Sequence, residues 1–294
     1  MDEKKDYLLI KNPIAGSAKN RRWIDTLMQE LDKRGLSYDL VETQEPQHAI
    51  KLAYDAAASY GVVVAVGGDG TVNEVGRGLL QRGEGVLGIL PVGNGNDFYR
   101  NFEEKANPEE AIQKLINGKF KKVNVGQDHE GRYVLNIASV GLDAFTGKTQ
   151  KKIKKYVPKT MGYVVALIYS MFFYRKQKIT VRLDGREFKS SNILLCFGTG
   201  KTYGGGIKIM PWAQMDDGYF NIVNIIDMSN LMLFIVAPSI IFGLHTKIKK
   251  YVKVYKAKEV EILGEDLTLN LDGELFDVEK VHFKLLFEKL KVIC

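Results

Sequence analysis

The sequence contains two cysteines in 294 residues, and this scarcity excludes several classes of protein. Cys196 and Cys294 cannot form the framework of disulfides that holds small secreted domains together. Neither cysteine lies in a Cys-x-x-Cys pair, and the four histidines lack the spacing of metal ligands. A zinc site is therefore not expected, and a reducing, cytoplasmic compartment is expected.

Long hydrophobic runs are also lacking. The two longest, Val164–Phe173 and Leu231–Ile241, are interrupted by serine or proline. Both are shorter than the roughly 20 residues that a helix needs to cross a bilayer. Residues 1–6 lead directly into a strand-like segment, without the apolar core of a signal peptide. The sequence therefore predicts a soluble protein.

Positive charge exceeds negative charge, with a formal net charge of +7. Two patches, Lys148–Lys159 and Lys247–Lys258, each contain six lysines. They are interpreted either as solvated helix faces or as surfaces that attract the anionic phosphates of lipid headgroups. Nucleic acid is not expected as a partner, because arginine is scarce in both patches and no aromatic RNA-binding or zinc-finger pattern accompanies them.

The first 125 residues alternate between strand-like and helix-like segments. The predicted strands are Tyr7–Lys11, Tyr38–Val41, Val62–Val66 and Val86–Leu90, and apolar residues at helical spacing lie between them. This alternation is typical of an α/β domain with a parallel sheet that is covered on both faces. Ligands of such sheets bind beyond the carboxyl ends of the strands.

After about Val125 the pattern changes to strands. The predicted strands are Tyr133–Val140, Lys178–Leu183, Asn192–Gly198, Tyr219–Ile226, Glu259–Leu263, Leu267–Leu271 and Val281–Phe287. Helices are predicted for Ile153–Tyr174 and Asp227–His245. The sequence therefore predicts an α/β domain over residues 1–125 and a β-rich domain over 126–287.

The glycine-rich segment Gly67–Glu74 follows the predicted strand Val62–Val66, an unbroken run of mainly β-branched residues. Its glycines let the backbone approach a phosphate closely, and the following helix offers its positive end to the same anion. Asp69 would repel a bare phosphate, so its position indicates a Mg²⁺ ion between the two. The alternative is a tight turn in which Thr71 and Glu74 form a helix capping box.

A second loop, Pro91–Asp97, repeats this arrangement after the next strand. Gly93 and Gly95 again let the backbone approach a phosphate closely, and Asp97 supplies a second carboxylate at the end of a neighbouring strand. The two loops together predict a nucleotide–Mg²⁺ site. A third segment, Gly198–Thr202, resembles the end of a P-loop but lacks the required preceding glycine and does not open a helix.

Seven short motifs, in order along nearly the whole chain, resemble the diacylglycerol kinase catalytic-domain family, in particular its soluble bacterial lipid kinases. They are Asn12-Pro13-x-x-Gly16, Gly67–Glu74, Pro91–Asp97, Gly141–Ala144, Gly204–Pro211, Asp216–Gly218 and Leu271–Glu274. The resemblance implies an N-terminal parallel-sheet α/β domain similar to those of NAD kinases and phosphofructokinases. It also implies a C-terminal β-sandwich-like domain, with residues 288–294 returning to the first domain and ATP bound in the cleft between them.

The resemblance also implies roles for individual residues. The nucleotide would contact Asn12, Pro13, Gly16, Thr43, Gly67, Gly68, Asp69, Gly70, Thr71, Val72, Asn73 and Asn94. The catalytic residues would be Asp69, Asp97 and Glu274, with Glu274 as the general base. Metal would be held by Asp69, Asp97 and Asn124. A structural Mg²⁺ would be held by Asp217 together with the backbone oxygens of Gln214 and Tyr219. Many relatives have aspartate at the position of Asn124 and threonine at that of Asn94.

These observations predict an ATP- and Mg²⁺-dependent kinase that phosphorylates a lipid hydroxyl, on diacylglycerol or a related lipid. The alternatives are an NAD kinase, which shares the Gly-Gly-Asp-Gly core, and a lipid-binding relative weakened at Asn124. The expected partner is a lipid at the inner face of the membrane, with the protein cytoplasmic and peripherally attached; a homodimer is left open. The apolar segments Val164–Phe173 and Leu231–Ile241 are expected to help form the lipid entrance.

Overall fold

The computed structural model describes residues 4–13, 18–153, 155, 157 and 162–293. The chain divides into two compact units. Unit 1 consists of Met1–Asn124, Gly204–Gly206 and Phe287–Cys294, and unit 2 of Val125–Tyr203 and Ile207–Leu286. The sequence interpretation assigned residues 204–206 to the second domain, whereas the structure groups them with unit 1.

Unit 1 is an α/β layer structure. Its strands are β1 (Lys5–Lys11), β2 (Tyr38–Glu42), β3 (Tyr60–Gly67) and β4 (Val86–Pro91). Its helices are α1 (Ala18–Lys33), α2 (His48–Ala56), α3 (Asp69–Arg82) and α4 (Pro108–Asn117). The strands pair in parallel in the order β2-β1-β3-β4, and residues 291–293 add a further parallel strand beside β4.

Helix α4 was missed by the sequence interpretation, although its start carries a clear signal. The side chain of Asn107 accepts a hydrogen bond from the Glu109 N–H, and Pro108 occupies the first turn. Asparagine at the N-cap followed by proline is a typical helix start. Buried Ala111 and Leu115 then face the rest of unit 1.

Unit 2 is built mainly from antiparallel strands. They are β5 (Lys121–Asp128, which begins in unit 1), β6 (Tyr133–Val134), β7 (Ile137–Gly141), β8 (Gln177–Leu183), β9 (Arg186–Gly198), β10 (Phe220–Ile226), β11 (Val252–Ala257), β12 (Glu259–Leu271) and β13 (Glu274–Ile293, which ends in unit 1). Strands β11, β10, β9, β7 and β12 are successive neighbours. The long strands β9 and β12 pair with β7 at one end and with β8 at the other.

Successive side chains of β9 point to opposite faces of the sheet and therefore into two different hydrophobic cores. Leu195 and Phe197 face a core between strands, where Phe220 and Phe283 are also buried. Leu194 and Cys196 face the opposite side. That side is covered by helices α5 (Leu142–Ile153), α6 (Gly162–Phe173) and α7 (Asn230–Ile241). Cys196 is a buried free thiol.

Several predicted elements of unit 2 differ from the observed ones. Of the predicted helix Ile153–Tyr174, Ile153 is the last residue of α5, which begins at Leu142, and residues 162–173 form α6. Residues 154, 156 and 158–161 of this prediction lie outside the described residues. The lysine patch Lys247–Lys258 was compared with a helix face, but its second half forms β11, because valine and tyrosine alternate there with lysine. The two strands predicted within residues 259–271 are one strand with a register shift between Leu263 and Leu267.

Within the described part of the chain, no helix is both long enough and apolar enough to cross a membrane.

Candidate functional site

The turn between β3 and α3 leaves a helix N-terminus open. The N-cap residue is Gly68, which has no side chain to bond the first N–H groups of the helix. The capping box considered for Thr71 and Glu74 does not form, because the Glu74 carboxylate instead accepts from the Ala49 N–H at 3.3 Å. An uncapped helix N-terminus after a glycine turn is suited to an anion such as a phosphate.

The two glycine loops lie backbone against backbone. The N–H groups of Val92 and Gly93 donate to the Gly67 carbonyl at 3.1 and 3.2 Å. A β-carbon placed on Gly93 would lie 2.2 Å from the Gly68 Cα, a distance that no side chain tolerates. Glycine at position 93 is therefore a requirement of this contact.

Asn96 holds the second loop in shape and was not singled out from the sequence. Its Nδ2 donates to the Gly93 carbonyl at 2.9 Å, and its Oδ1 accepts from the Gly93 N–H at 3.1 Å. Asn96 has a positive φ of 54°, a conformation that asparagine tolerates better than most residues. The side chain of Asn94, two residues earlier, is exposed.

The two predicted acidic residues border one small space. A β-carbon on Gly95 would lie 2.7 Å from Asp69 Oδ2 and 3.4 Å from Asp97 Oδ2. The other oxygen of Asp69, Oδ1, accepts a hydrogen bond from the Phe98 N–H at 3.0 Å. The structure thus brings together the two carboxylates that the sequence assigned to different loops.

Asp97 is held by a third loop that the sequence interpretation assigned no role at the site. Its two carboxylate oxygens accept from the N–H groups of Gly205 and Gly206, each at 2.7 Å. Both glycines have positive φ angles, 86° and 109°. This backbone conformation lets two successive N–H groups converge on one anion, and these bonds join residues 204–206 to unit 1.

The electrostatics of this pair suit a divalent cation. Burial raises the pKa of Asp69 above its ordinary value, and the Asp97 carboxylate adds to the rise, while the Phe98 N–H opposes it. In the described residues, no group of three or more acidic, histidine or cysteine side chains is arranged around a metal. Two carboxylates nevertheless fit Mg²⁺, which typically combines one or two carboxylates with water and substrate phosphates.

The remaining residues that were predicted to contact the nucleotide follow β1, β2 and β3. The Asn12 N–H donates to the Val66 carbonyl at 3.4 Å, and the Thr43 N–H donates to the Lys11 carbonyl at 2.9 Å. Because these strands are parallel, their carboxyl ends lie at the same edge of the sheet as the glycine loops. Pro13 is exposed, and Gly70, Thr71, Val72 and Asn73 form the start of α3. Gly16 lies outside the described residues.

Asn124 is fully buried, and its side chain is hydrogen-bonded to a backbone N–H group. Its Oδ1 accepts from the Glu288 N–H at 3.0 Å, and its Nδ2 has no hydrogen-bond partner among the described residues. The atom left over is therefore a donor, which cannot be a metal ligand. An aspartate at this position would place a second acceptor oxygen there.

In the loop expected to hold a structural Mg²⁺, Asp217 is paired with a lysine of β11 that the sequence interpretation missed. The Oδ2 of Asp217 lies 2.7 Å from the Lys256 Nζ, and its Oδ1 accepts from the Tyr219 N–H at 3.1 Å. The side chain of Gln214 is exposed. Because the Lys256 ammonium already offsets the Asp217 charge, a cation in this loop would compete with it.

Glu274 is the first residue of β13 and follows a two-residue hairpin. Leu271 pairs with Glu274, and Asp272 and Gly273 between them have positive φ angles of 48° and 98°, typical of a type I′ turn. The Asp272 carboxylate accepts three backbone N–H groups at 2.7 to 3.1 Å, from Leu135, Asn136 and Ile137. These bonds fix the turn from the side of β7.

The hairpin at Asp184-Gly185 repeats this turn, with φ angles of 47° and 82°. The Asp184 carboxylate also accepts backbone N–H groups, from Lys258 and Glu259. The turn geometry therefore does not by itself distinguish Glu274 from an ordinary hairpin residue. The nearby Glu187 makes an ion pair with Arg182.

Comparison with known proteins agrees with the resemblance. A family model described as the diacylglycerol kinase catalytic domain matches residues 6–127. One described as the YegS C-terminal NAD kinase beta sandwich-like domain matches residues 136–294. A diacylglycerol kinase of Staphylococcus saprophyticus is 31% identical over 272 residues, which cover 90% of this chain and 88% of the relative. A diacylglycerol kinase of Staphylococcus aureus is 32% identical, with 90% and 85% covered.

Solved structures show the same fold. One described as a diacylglycerol kinase from Bacillus anthracis aligns over 100% of this chain and 98% of its own, with a TM-score of 0.74 and 21% identity. Yeast NADH kinase, solved with NADH, aligns over 99% and 83% with a TM-score of 0.50 and 10% identity. The fold is therefore mixed α/β with a β-sandwich-like C-terminal domain, as predicted. Together with its curated relatives and the two matching family models, this places the chain in the diacylglycerol kinase catalytic-domain family, a family of kinases.

Proposed function

We propose that this protein transfers the γ-phosphoryl group of ATP to the hydroxyl group of a membrane lipid, diacylglycerol or a lipid of similar headgroup. The observation that carries the proposal is the pair Asp69 and Asp97, which border one space at Gly95 beside two glycine loops in backbone contact. Such a site offers N–H groups to phosphates and carboxylates to their counterion.

Each group has a distinct task in the proposed reaction. The uncapped start of α3 and the glycine loops bind and orient the phosphates. Mg²⁺, when bound by Asp69 and Asp97, would neutralise charge on the β- and γ-phosphate oxygens. The lipid oxygen forms a bond to the γ-phosphorus while the bond to the bridging oxygen breaks and ADP leaves. Glu274 accepts the proton that the hydroxyl group loses.

The proposal is tested by incubating the protein with γ-labelled ATP and mixed micelles that contain one lipid alcohol at a time. We expect label in the phosphate ester of diacylglycerol or of a related lipid, identified by its mass. NAD is included as a competing acceptor because the fold is shared with NADH kinase. Label in NADP alone, or ATP binding without transfer to any lipid alcohol, would refute the proposal.

The first prediction concerns Asn124 and the metal requirement. Asn124→Asp keeps the acceptor for the Glu288 N–H and replaces the buried donor with a carboxylate oxygen. The added charge can accept hydrogen bonds from metal-bound water, so we expect a lower Mg²⁺ concentration for half-maximal activity. A Mg²⁺ titration of the initial rate measures it. An unchanged or higher requirement would count against a role for position 124 in the metal site.

A surface of unit 2 supports peripheral binding to a membrane. Helices α6 and α7 are neighbours, since the rings of Phe172 and Phe234 lie 5.9 Å apart and Asn230 donates to the Phe172 carbonyl. Large apolar side chains on and just after these helices are exposed: Val165, Ile168, Tyr169, Phe172, Phe173, Leu231, Phe234, Ile235, Ile241, Phe242 and Leu244. We call this set the apolar plate. An exposed patch of this extent marks an interaction site.

The charges near the apolar plate favour an anionic lipid surface as its partner. Lys247, Lys249 and Lys250 are exposed directly after it in the chain, and Lys151 and Lys152 are exposed at the end of α5. An apolar surface flanked by lysines is typical of proteins that lie in the headgroup region of a membrane. We therefore infer that the protein binds the membrane through this face, which would bring it to its lipid substrate.

The second prediction tests this surface with two variants. Phe172→Ser together with Phe234→Ser should weaken binding to phosphatidylglycerol vesicles by about tenfold or more, because apolar area is lost. Lys249→Gln together with Lys250→Gln should weaken binding several-fold at low salt and reduce its salt dependence, at about 1 kcal/mol per lysine. Vesicle co-sedimentation measures both. Phe120→Ser, which changes an exposed phenylalanine of unit 1, is the matched control.

Binding that is equal in all of these variants would show that the apolar plate does not dock on lipid. Activity on a short-chain, water-soluble diacylglycerol separates docking from chemistry, since the docking variants should retain it.

A further inference from the structure

A series of hydrogen bonds leads from the buried Ser139 of β7, through Asp143 and the half-buried Asn270, to the exposed turn that precedes Glu274. The Ser139 Oγ and the Asn270 Nδ2 both donate to Asp143 Oδ2, each at 2.6 Å. The other end of the Asn270 amide, Oδ1, accepts from the Gly273 N–H at 2.9 Å. All of these residues belong to unit 2.

The carboxyl group of Asp143, at the centre of these hydrogen bonds, is costly to bury. Asp143 lies in the first turn of α5 and is almost fully buried, with neutral partners in both of these bonds. Burial raises the pKa of Asp143, and the hydrogen bonds from Ser139 and Asn270 act in the opposite direction. A buried carboxyl group stabilises a core less than a well-packed apolar residue would. Packing alone therefore gives no account of Asp143, but its connection to the turn does.

The turn is held on two sides. Asp272 accepts from three N–H groups, those of the first residue of β7 and of the two residues before it, and the Gly273 N–H donates to Asn270. Helix α5 also contacts the strand beyond the turn, because a β-carbon on Gly147 would lie 3.0 Å from a methyl carbon of Leu275. The residues on both sides of Glu274 are thus connected to α5, Gly273 through its backbone N–H and Asn270, and Leu275 through its side chain.

We propose that Asp143 and Asn270 are positioning residues for Glu274: the Ser139–Asp143–Asn270 chain fixes the Gly273 N–H and so the direction in which Glu274 leaves the turn. The inference rests on the proposed function, in which Glu274 takes the proton of the lipid hydroxyl. A general base acts at hydrogen-bond distance, and a displacement of about 1 Å can cost roughly 10²-fold in rate.

The test is a double-mutant cycle on turnover. Asn270→Leu removes both hydrogen bonds at nearly constant volume, and we expect it to lower kcat about 10- to 100-fold with the KM for ATP unchanged. In the Glu274→Gln background the same change should have less than about a twofold effect, because the base is already lost. Asn192→Leu is the control, since Asn192 is a fully buried asparagine of unit 2 that takes no part in the hydrogen bonds among Ser139, Asp143 and Asn270.

If Asn270→Leu does not fold, a second pair of variants at Asp143 tests the same inference. Asp143→Asn retains an acceptor oxygen for Asn270 and should keep most of the turnover, whereas Asp143→Leu should lose it as Asn270→Leu does. Equal losses in both backgrounds of the cycle, or a loss no larger than that of Asn192→Leu, would overturn the inference.

Hydrogen exchange at the Gly273 amide separates this inference from the proposed function, because it needs no substrate. We expect faster exchange at Gly273 in Asn270→Leu and in Asp143→Leu than in the unchanged protein. Faster exchange in a protein that phosphorylates no lipid would refute the proposed function and still support the anchoring of the turn. Unchanged exchange would overturn the inference whatever the activity.

Discussion

Replacing Glu274 by glutamine is expected to lower turnover by about 10²- to 10⁴-fold, the usual cost of losing a general base. A lipid alcohol is a weak nucleophile at neutral pH, so the group that takes its proton during transfer contributes strongly to the rate. Glutamine keeps the size of Glu274 and most of its hydrogen bonding but cannot accept the proton. The hairpin is held by backbone groups and by Asp272, so the fold should be unaffected.

The measurement compares kcat on diacylglycerol with ATP binding and thermal unfolding, both of which should be unchanged. Glu187→Gln is the matched control, because Glu187 lies just after the second type I′ hairpin and makes only an exposed ion pair with Arg182 among the contacts described for its side chain. Near-normal turnover in Glu274→Gln would remove Glu274 from the mechanism.

Replacing Asp69 by asparagine is expected to reduce kcat/KM for ATP by about 10²-fold or more. A bound metal contributes several kcal/mol of charge stabilisation in the transition state, and each 1.36 kcal/mol corresponds to about tenfold in rate. The amide still offers an oxygen to the Phe98 N–H, so the local backbone should be retained. The loss should therefore come from the metal site rather than from the fold.

Stability provides an independent readout for this variant. Burial raises the pKa of Asp69 above its unfolded value, so its charged form destabilises the metal-free protein at neutral pH. Asparagine removes that charge, and the thermal midpoint without Mg²⁺ should be equal or higher. Glu84→Gln, which removes an exposed charge just after α3, serves as the control. Full activity in Asp69→Asn, or a clearly lower midpoint, would contradict the assigned role.

The loops of the candidate site were predictable because their chemistry is local. Glycines that permit close backbone contact, and an aspartate directly after a strand, are visible in short segments such as Gly67–Glu74. The parallel alternation of strands and helices then implied that the ends of β3 and β4 lie at one edge. The proximity of Asp69 and Asp97 follows from that topology.

The parts that the sequence did not reveal depend on backbone groups or on distant partners. The N–H groups that bind Asp97 come from Gly205 and Gly206, more than a hundred residues away, and no residue type identifies a backbone donor. Lys256 is one lysine among many, and its pairing with Asp217 depends on the register between β10 and β11. Helix α5 was missed because Leu142 follows a buried strand without an interruption in hydrophobicity.

The path of β13 has a consequence for how the protein is made. Residues 291–293 pair with β4 at 86–88, so unit 1 receives a strand from a segment about two hundred residues later in the chain. During synthesis the ribosome must complete unit 2 before unit 1 can obtain that strand, and until then β4 has an open edge. Open edges pair with other chains, and contacts between distant segments form slowly. Nascent chains that stall before residue 291 are therefore expected to be prone to aggregation through β4.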